Sequence, residues 1–223
     1  MITASSTSVI NARTAPLKIN QDGRHHGIPA WLQRTAAGLG MLVISPLLII
    51  TVLAICLESR GSCFYSQIRV GKFGRHFKMY KFRSMYLKTD PKYREPDPAT
   101  SDREGVCKKY VNDPRITRVG RFIRKYSIDE LPQLWNVIKG DMLLIGPRPA
   151  LSIEVDAYEN QALPRLNCEA GLTGLWQVSG RADTTFAQQV GLDTRYVHEQ
   201  SMLMDIRILF ATVPCVLGAK GAY

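Results

Sequence analysis

From Ala36 to Leu57 the chain reads AAGLGMLVISPLLIITVLAICL, without one charged side chain. As a single straight helix this run would measure about 33 Å, enough to cross a bilayer. Ser45 and Pro46 interrupt it near the middle, where proline lacks a backbone donor and crowds the preceding turn, so a kink is expected. The polar, Ser-rich leader is unlike the basic start of a signal peptide and no cleavage site follows the run, which is therefore read as retained. The segment before it carries Arg13, Lys18, Arg24 and Arg34 against Asp22, and the segment after it is also strongly basic. A spanning helix would place one of these basic flanks on the wrong side. A helix that enters, breaks at Ser45-Pro46 and returns satisfies both, with the Ser45 hydroxyl able to bond a released carbonyl. On charge and proline alone, a kinked spanning helix and a buried core helix stay open as alternatives. Trp31 and Arg34 before the run, and Glu58 and Arg60 after it, match the amphipathic flanking of a membrane interface.

The rest of the composition confines that contact to one place. The chain has 223 residues, 45% hydrophobic and 22% charged, and a mean hydropathy of -0.09. That describes one globular domain with an appendage, not a polytopic membrane protein. The formal charge is +10. Between Arg60 and Lys125 there are 18 basic and 6 acidic residues, and beyond Lys125 acidic residues outnumber basic ones. A basic first half points to a polyanion: lipid head groups, nucleotide phosphates or nucleic acid. The five cysteines, at 56, 63, 107, 168 and 215, form no CxxC pair, and the four histidines form no zinc spacing. They read as reduced thiols in a reducing compartment.

Residues 1–29 read as a poorly ordered leader. Cys63 to Val70 and His76 to Arg83 read as two strands of a hairpin turned at Gly71 and Gly74, and Lys88 to Glu104, with three prolines, as a surface loop. Helical periodicity covers Arg118 to Lys125, and Leu131, Leu134, Trp135 and Ile138 fall on one predicted stripe. Ala150 to Asn160 and Thr184 to Gln200 read as helices, and Gly171 to Val178 as a strand. Met202, Leu203, Ile206, Phe210 and Val213 form the apolar face of a last helix, fit to pack on the core or to lie on a membrane.

Asp129 and Glu130, in SIDELP, put adjacent carboxylates near a helix start, where the macrodipole favours anions. Ser127 with Glu130 also spells a capping box, an ordinary structural device. With Ser127 as N-cap, Pro132 would delete a helical bond; with Asp129 as N-cap none is lost, and the assignment stays open. Paired carboxylates with a divalent ion are what phosphoryl chemistry on a nucleotide diphosphate requires, one as nucleophile and one for metal or phosphate. Mg²⁺ takes one or two protein carboxylates and completes its shell with phosphate and water. Cations to hold such phosphates are plentiful: Lys81 and Arg83 on one strand face, Arg115, Arg118, Arg121 and Arg124 at three-residue spacing, Arg148 between two prolines, and Arg181 after Ser179-Gly180. Taken singly, each is also compatible with a solvated or lipid-facing basic surface. A nucleic-acid role has no motif to support it and leaves the apolar run unexplained.

The words KFRSM (Lys81 to Met85), SIDELPQLWNVIKGDM (Ser127 to Met142), GPRP (Gly146 to Pro149) and GLTGLWQVSGR (Gly171 to Arg181), in that order, resemble the bacterial sugar transferases, the monotopic phosphoglycosyl transferases. The resemblance runs from the apolar run to the Lys220-Gly221-Ala222-Tyr223 tail. It implies an α+β fold in three parts: leader 1–29, re-entrant membrane helix 30–59 broken at Ser45 and Pro46, and catalytic domain 60–223 with interfacial amphipathic helices, facing the cytoplasm at the bacterial inner membrane. It implies transfer of a sugar 1-phosphate from a UDP-sugar to undecaprenyl phosphate, releasing UMP, with Asp129 as covalent nucleophile and Mg²⁺ at Asp129 and Glu130. Lys81, Arg83, Arg124, Arg148 and, less securely, Arg181 would bind substrate phosphates. Galactose or glucose 1-phosphate in exopolysaccharide synthesis is the implied cargo, with no nucleic-acid partner, and homo-oligomer formation is left open. The competing reading is a catalytically inactive membrane scaffold that binds nucleotide or lipid.

Overall fold

The computed structural model describes residues 26–97, 110, 112–158, 160–180 and 184–218. Arg181, most of the leader, the end of the proline-rich loop and the tail from Ala219 to Tyr223 lie outside the described residues. The apolar run forms two helices, α1 (Ala30–Val43) and α2 (Ser45–Glu58), bent by 61°. Pro46 sits in the first turn of α2, where a missing N–H removes no helical bond, and the Ser45 hydroxyl donates to the Leu42 carbonyl at 2.8 Å. Among the described residues no single helix is long and apolar enough to cross a membrane.

The predicted hairpin is present as β1 (Phe64–Val70) and β2 (His76–Phe82), antiparallel, with Tyr65 opposite Lys81. There follow α3 (Arg118–Lys125), a 3-10 turn (Ile128–Glu130), α4 (Gln133–Lys139), β3 (Leu143–Ile145), α5 (Ser152–Asp156) and a 3-10 segment (Asn160–Leu166). The chain ends in β4 (Gly171–Thr173), α6 (Leu175–Val178), α7 (Phe186–Glu199) and α8 (Met202–Leu217). β3 and β4 pair in parallel, so the fold is α+β with two small sheets. A side chain on Gly171 would meet the Gly146 backbone at 2.0 Å, which explains why glycines bound this pair.

Three expectations are corrected. The strand predicted from Gly171 stops at Thr173, and Leu175 to Val178 is helical. The helix predicted from Ala150 to Asn160 covers only Ser152–Asp156. Trp135 leaves the predicted stripe: α4 buries Gln133, Leu134, Asn136 and Val137, and Trp135 stands half exposed.

The bent pair belongs to the core of the domain. Ala37 of α1 packs with Phe77, Met79, Leu134, Val137 and Met142. Ile55 of α2 packs with Phe82 and Ile123, flanked by Val119 and Ile128. Around the break, by contrast, Leu39, Leu42, Val43, Ile49, Ile50 and Leu53 are exposed. α8 likewise turns Met202, Leu203, Phe210 and Val213 outward and buries Asp205 and Ile208. Leaving so many large apolar groups in water is unfavourable by roughly 25 cal/mol per Å², so these faces need a cover.

Buried polar side chains tie the elements together. Gln33 donates to the Ile28 carbonyl at 2.7 Å and accepts from the Ile145 N–H at 3.1 Å, while Asp205 accepts from the Ile28 N–H and the Tyr196 hydroxyl, both at 2.7 Å. Asn136, fully buried, closes the outer edge of β2 by accepting from Tyr80 N–H at 3.1 Å and donating to the Lys78 carbonyl at 2.8 Å. Asn136→Ala orphans both strand groups and should lower unfolding stability by about 2–4 kcal/mol, read by thermal or denaturant unfolding.

Candidate active site

The acidic pair is placed by a sharp reversal. α3 ends at Lys125 with Tyr126 as its C-cap, and Ser127 then takes the left-handed conformation (φ 55), which swings Ile128–Glu130 out as a separate 3-10 turn. Ser127 makes no side-chain cap, and α4 starts at Gln133 with Pro132 as its N-cap. The capping-box alternative is thereby excluded: the Glu130 carboxylate reaches the ammonium of Lys81, 2.5 Å away. Ile128, beside the pair, packs at the edge of the Ile55, Phe82 and Ile123 cluster, so the turn rests on α2, α3 and β2 together.

Burial pushes the Asp129 carboxyl up to about 6, and the neighbouring charge of Glu130 adds to the effect. Lys81 and Arg124 pull in the opposite direction without overcoming it. The result is a poorly solvated carboxylate whose conjugate acid is stronger than a neutral solution requires, so it is ionised above its midpoint and basic enough to attack phosphorus. Carboxylate oxygens are also the hard donors that a hard divalent cation takes. Among the described residues no cluster of three or more His, Cys, Asp or Glu could hold a metal ion by itself.

The other expected residues divide. Lys81 and Arg124 join the acidic pair. Arg83 does not: it is 5% exposed, and it donates to the carbonyls of Arg60 at 2.5 Å and Ser59 at 2.8 Å. Two residues beyond Lys81 the strand has ended, and this guanidinium braces the exit of α2. Arg115 is held by Asp113 at 2.6 Å. Arg148 lies over the Trp176 ring, 5.5 Å from its centroid, and its charge acts on Asp193 and Tyr158. There Arg165, buried, donates to Tyr158 at 2.8 Å and pairs with Asp193, whose carboxyl burial raises to about 6. Arg181 lies outside the described residues.

Two contacts at the site had no signal in sequence spacing. Glu58, the last residue of α2, accepts from the backbone N–H groups of Arg118 and Val119, and Asp113 fixes the loop that enters α3. Their partners are fixed by tertiary approach or by a turn without periodicity.

A bent apolar helix pair thus packs against the turn that carries two adjacent carboxylates, one of them held by Lys81. Comparison with known families goes further: the bacterial sugar transferase profile matches residues 25–219, and the chain belongs to that family. It is 41% identical over 191 residues to the exopolysaccharide production protein ExoY of Rhizobium meliloti, covering 84% of each chain. It is 44% identical over 186 residues to the undecaprenyl-phosphate galactose phosphotransferase of Salmonella typhimurium, covering 82% of this chain and 39% of that one. It is 39% identical over 201 residues to the UDP-glucose:undecaprenyl-phosphate glucose-1-phosphate transferase of Caulobacter vibrioides, covering 86% of this chain and 70% of that one.

The electrostatics give a direct test. In the metal-free protein the Asp129 carboxyl should titrate near 6, protonated below and ionised above. Lys81→Met removes an opposing positive charge, so the midpoint should move upward, followed by the carboxyl carbon signal in NMR.

Proposed function

We propose that the protein transfers a sugar 1-phosphate, galactose or glucose, from a UDP-sugar to undecaprenyl phosphate as the first membrane step of a surface glycan. The substrates are those in the names of its Salmonella and Caulobacter relatives. The observation that carries the reading is the dyad itself: a half-buried Asp129 held near 6 beside a Glu130 that Lys81 fixes at 2.5 Å.

In the proposed first half-reaction an Asp129 carboxylate oxygen attacks the sugar-bearing phosphorus of the donor. The bond from that phosphorus to the bridging oxygen breaks, and UMP leaves with the electron pair. In the second, an oxygen of undecaprenyl phosphate attacks the same phosphorus and the Asp129 carboxylate departs, leaving an undecaprenyl diphosphate sugar. Lys81 and Arg124 stand where they offset the negative charge of a bound diphosphate. Asp129 and Glu130 would hold Mg²⁺, which when bound neutralises charge on the phosphates.

A lipid phosphate stays at head-group height, so the dyad must sit at the same height. The docked outer ends and exposed break of the α1–α2 pair support a re-entrant seating from the cytoplasmic face. Each arm of 14 residues is about 21 Å long. With both outer ends level, a 61° bend sinks the vertex about 11 Å, within one leaflet's hydrocarbon of about 15 Å. The outward face of α8 is then a second interfacial surface, with the bulk of residues 60–223 as the cytoplasmic catalytic unit.

Release of UMP from a panel of UDP-sugars, with Mg²⁺ and with or without undecaprenyl phosphate, tests the reaction. Turnover with one sugar that depends on the lipid names the donor. Asp129→Asn should lower kcat by about 10³-fold or more while leaving donor binding in place. Wild-type turnover by that variant would contradict a covalent carboxylate, and folded protein inert toward every donor would favour a non-catalytic scaffold.

A further inference from the structure

An α-helix begins with N–H groups that have no partner in its own ladder. In α3 these are closed by three parts of the molecule. Thr117 N–H donates to the Ser84 carbonyl at 3.1 Å, and Gly120 N–H to the Thr117 hydroxyl at 2.7 Å. The N–H groups of Arg118 and Val119 each donate to one oxygen of the Glu58 carboxylate, at 2.6 and 2.8 Å. A two-oxygen acceptor carrying negative charge suits this position, because the helix dipole leaves its amino end partly positive.

Glu58 comes from outside α3: it is the last residue of α2, the returning arm of the bent pair. The junction around it is rigid. Arg83 grips the next two carbonyls, those of Ser59 and Arg60. A side chain on Gly120 would lie 2.0 Å from the Ser84 carbonyl oxygen, so α3 lies directly against the end of KFRS. From there α3 runs about 12 Å to its carboxyl end. Arg124 lies in its last turn, and Ser127 reverses the chain into Asp129. Ile55 of α2 and Ile128 meet in the same apolar cluster.

We propose that Glu58 is a positioning residue for Asp129: by fixing the start of α3 to the end of α2, its carboxylate makes the placement of the nucleophile depend on how the bent pair is seated in lipid. The proposal rests on the reading of Asp129 as nucleophile. Its functional sense is protection of the donor. When α2 is unseated, the carboxylate withdraws, α3 loses two of its cap bonds, and the dyad is no longer aligned to cleave a UDP-sugar away from the leaflet that holds the acceptor.

The test uses full-length protein in phospholipid nanodiscs containing undecaprenyl phosphate, with UMP release and amide hydrogen exchange as readouts. Glu58→Gln offers one acceptor and presents a donor to the other N–H. It should lower kcat at least tenfold with KM for donor and acceptor within twofold of wild type, and accelerate exchange across residues 118–130 but not in α7. Glu58→Asp, one methylene shorter, should fall between the two, and Glu199→Gln on the exposed face of α7 should match wild type. A kcat within twofold of wild type, a change confined to KM, or a lower kcat with unchanged exchange across 118–130 would each overturn the proposal. Should Glu58→Gln fail to fold, Glu58→Asp with wild-type kcat and exchange overturns it equally. Asp129→Asn run in parallel separates the layers: active Asp129→Asn removes the underlying reading, whereas inactive Asp129→Asn beside normal Glu58→Gln refutes the positioning role alone.

Discussion

Proline 46 has no backbone N–H, and its ring collides with the carbonyl one turn earlier, so an uninterrupted helix through the apolar run is unfavourable by about 3 kcal/mol. The chain resolves this by ending α1 at Val43 and restarting at Ser45, with the serine hydroxyl taking up the Leu42 carbonyl. The resulting bend brings α2 back to the domain from which α1 departed. It delivers Ile55 to the underside of Phe82 and Ile123, and Glu58 to the first turn of α3. A straight helix would carry both away, and the acidic turn would lose its floor. The bent apolar pair and the acidic turn therefore share one apolar cluster.

At the dyad, burial and charge pull against one another. Desolvation and the proximity of Glu130 favour a neutral Asp129; Lys81 and Arg124 favour an ionised one. Desolvation prevails in the free protein and leaves the carboxyl near 6. A fully solvated aspartate would be ionised but a weaker nucleophile, and a fully buried one without cations would stay protonated at neutral pH. Lys81 is suited to this balance because its ammonium is fixed on Glu130 by a strand whose far edge Asn136 closes.

Much of this was readable in the sequence wherever local geometry decides it. The break at Ser45-Pro46, the hairpin, the bounds of α3 and the apolar face of α8 follow from proline chemistry and periodicity, whereas the pairing of Lys81 with Glu130 is seen only in the folded chain. Periodicity fails on short apolar stretches, so it does not separate the helix Leu175–Val178 from a strand, and it puts Trp135 on a stripe where tertiary packing buries Val137 instead. Strand alternation put Arg83 on the face of Lys81, but it says nothing of what that face meets two residues on, where the return of α2 supplies carbonyls. Glu58 illustrates the remaining limit. Its partners lie 60 and 61 residues away, and only the folded chain brings them together.

The proposed transfer through a phosphoryl group on the Asp129 carboxylate would let a soluble donor and a lipid acceptor use one small site in turn. Incubation with a radiolabelled UDP-sugar in the absence of undecaprenyl phosphate, followed by rapid acid quench and peptide mapping, addresses it directly. The account predicts up to one UMP released per chain and a sugar-phosphate adduct on the peptide containing Asp129, discharged when the lipid is added. Lipid-dependent turnover at the normal rate, with neither a first burst of UMP nor an adduct on that peptide, would contradict it and require direct transfer from donor to acceptor.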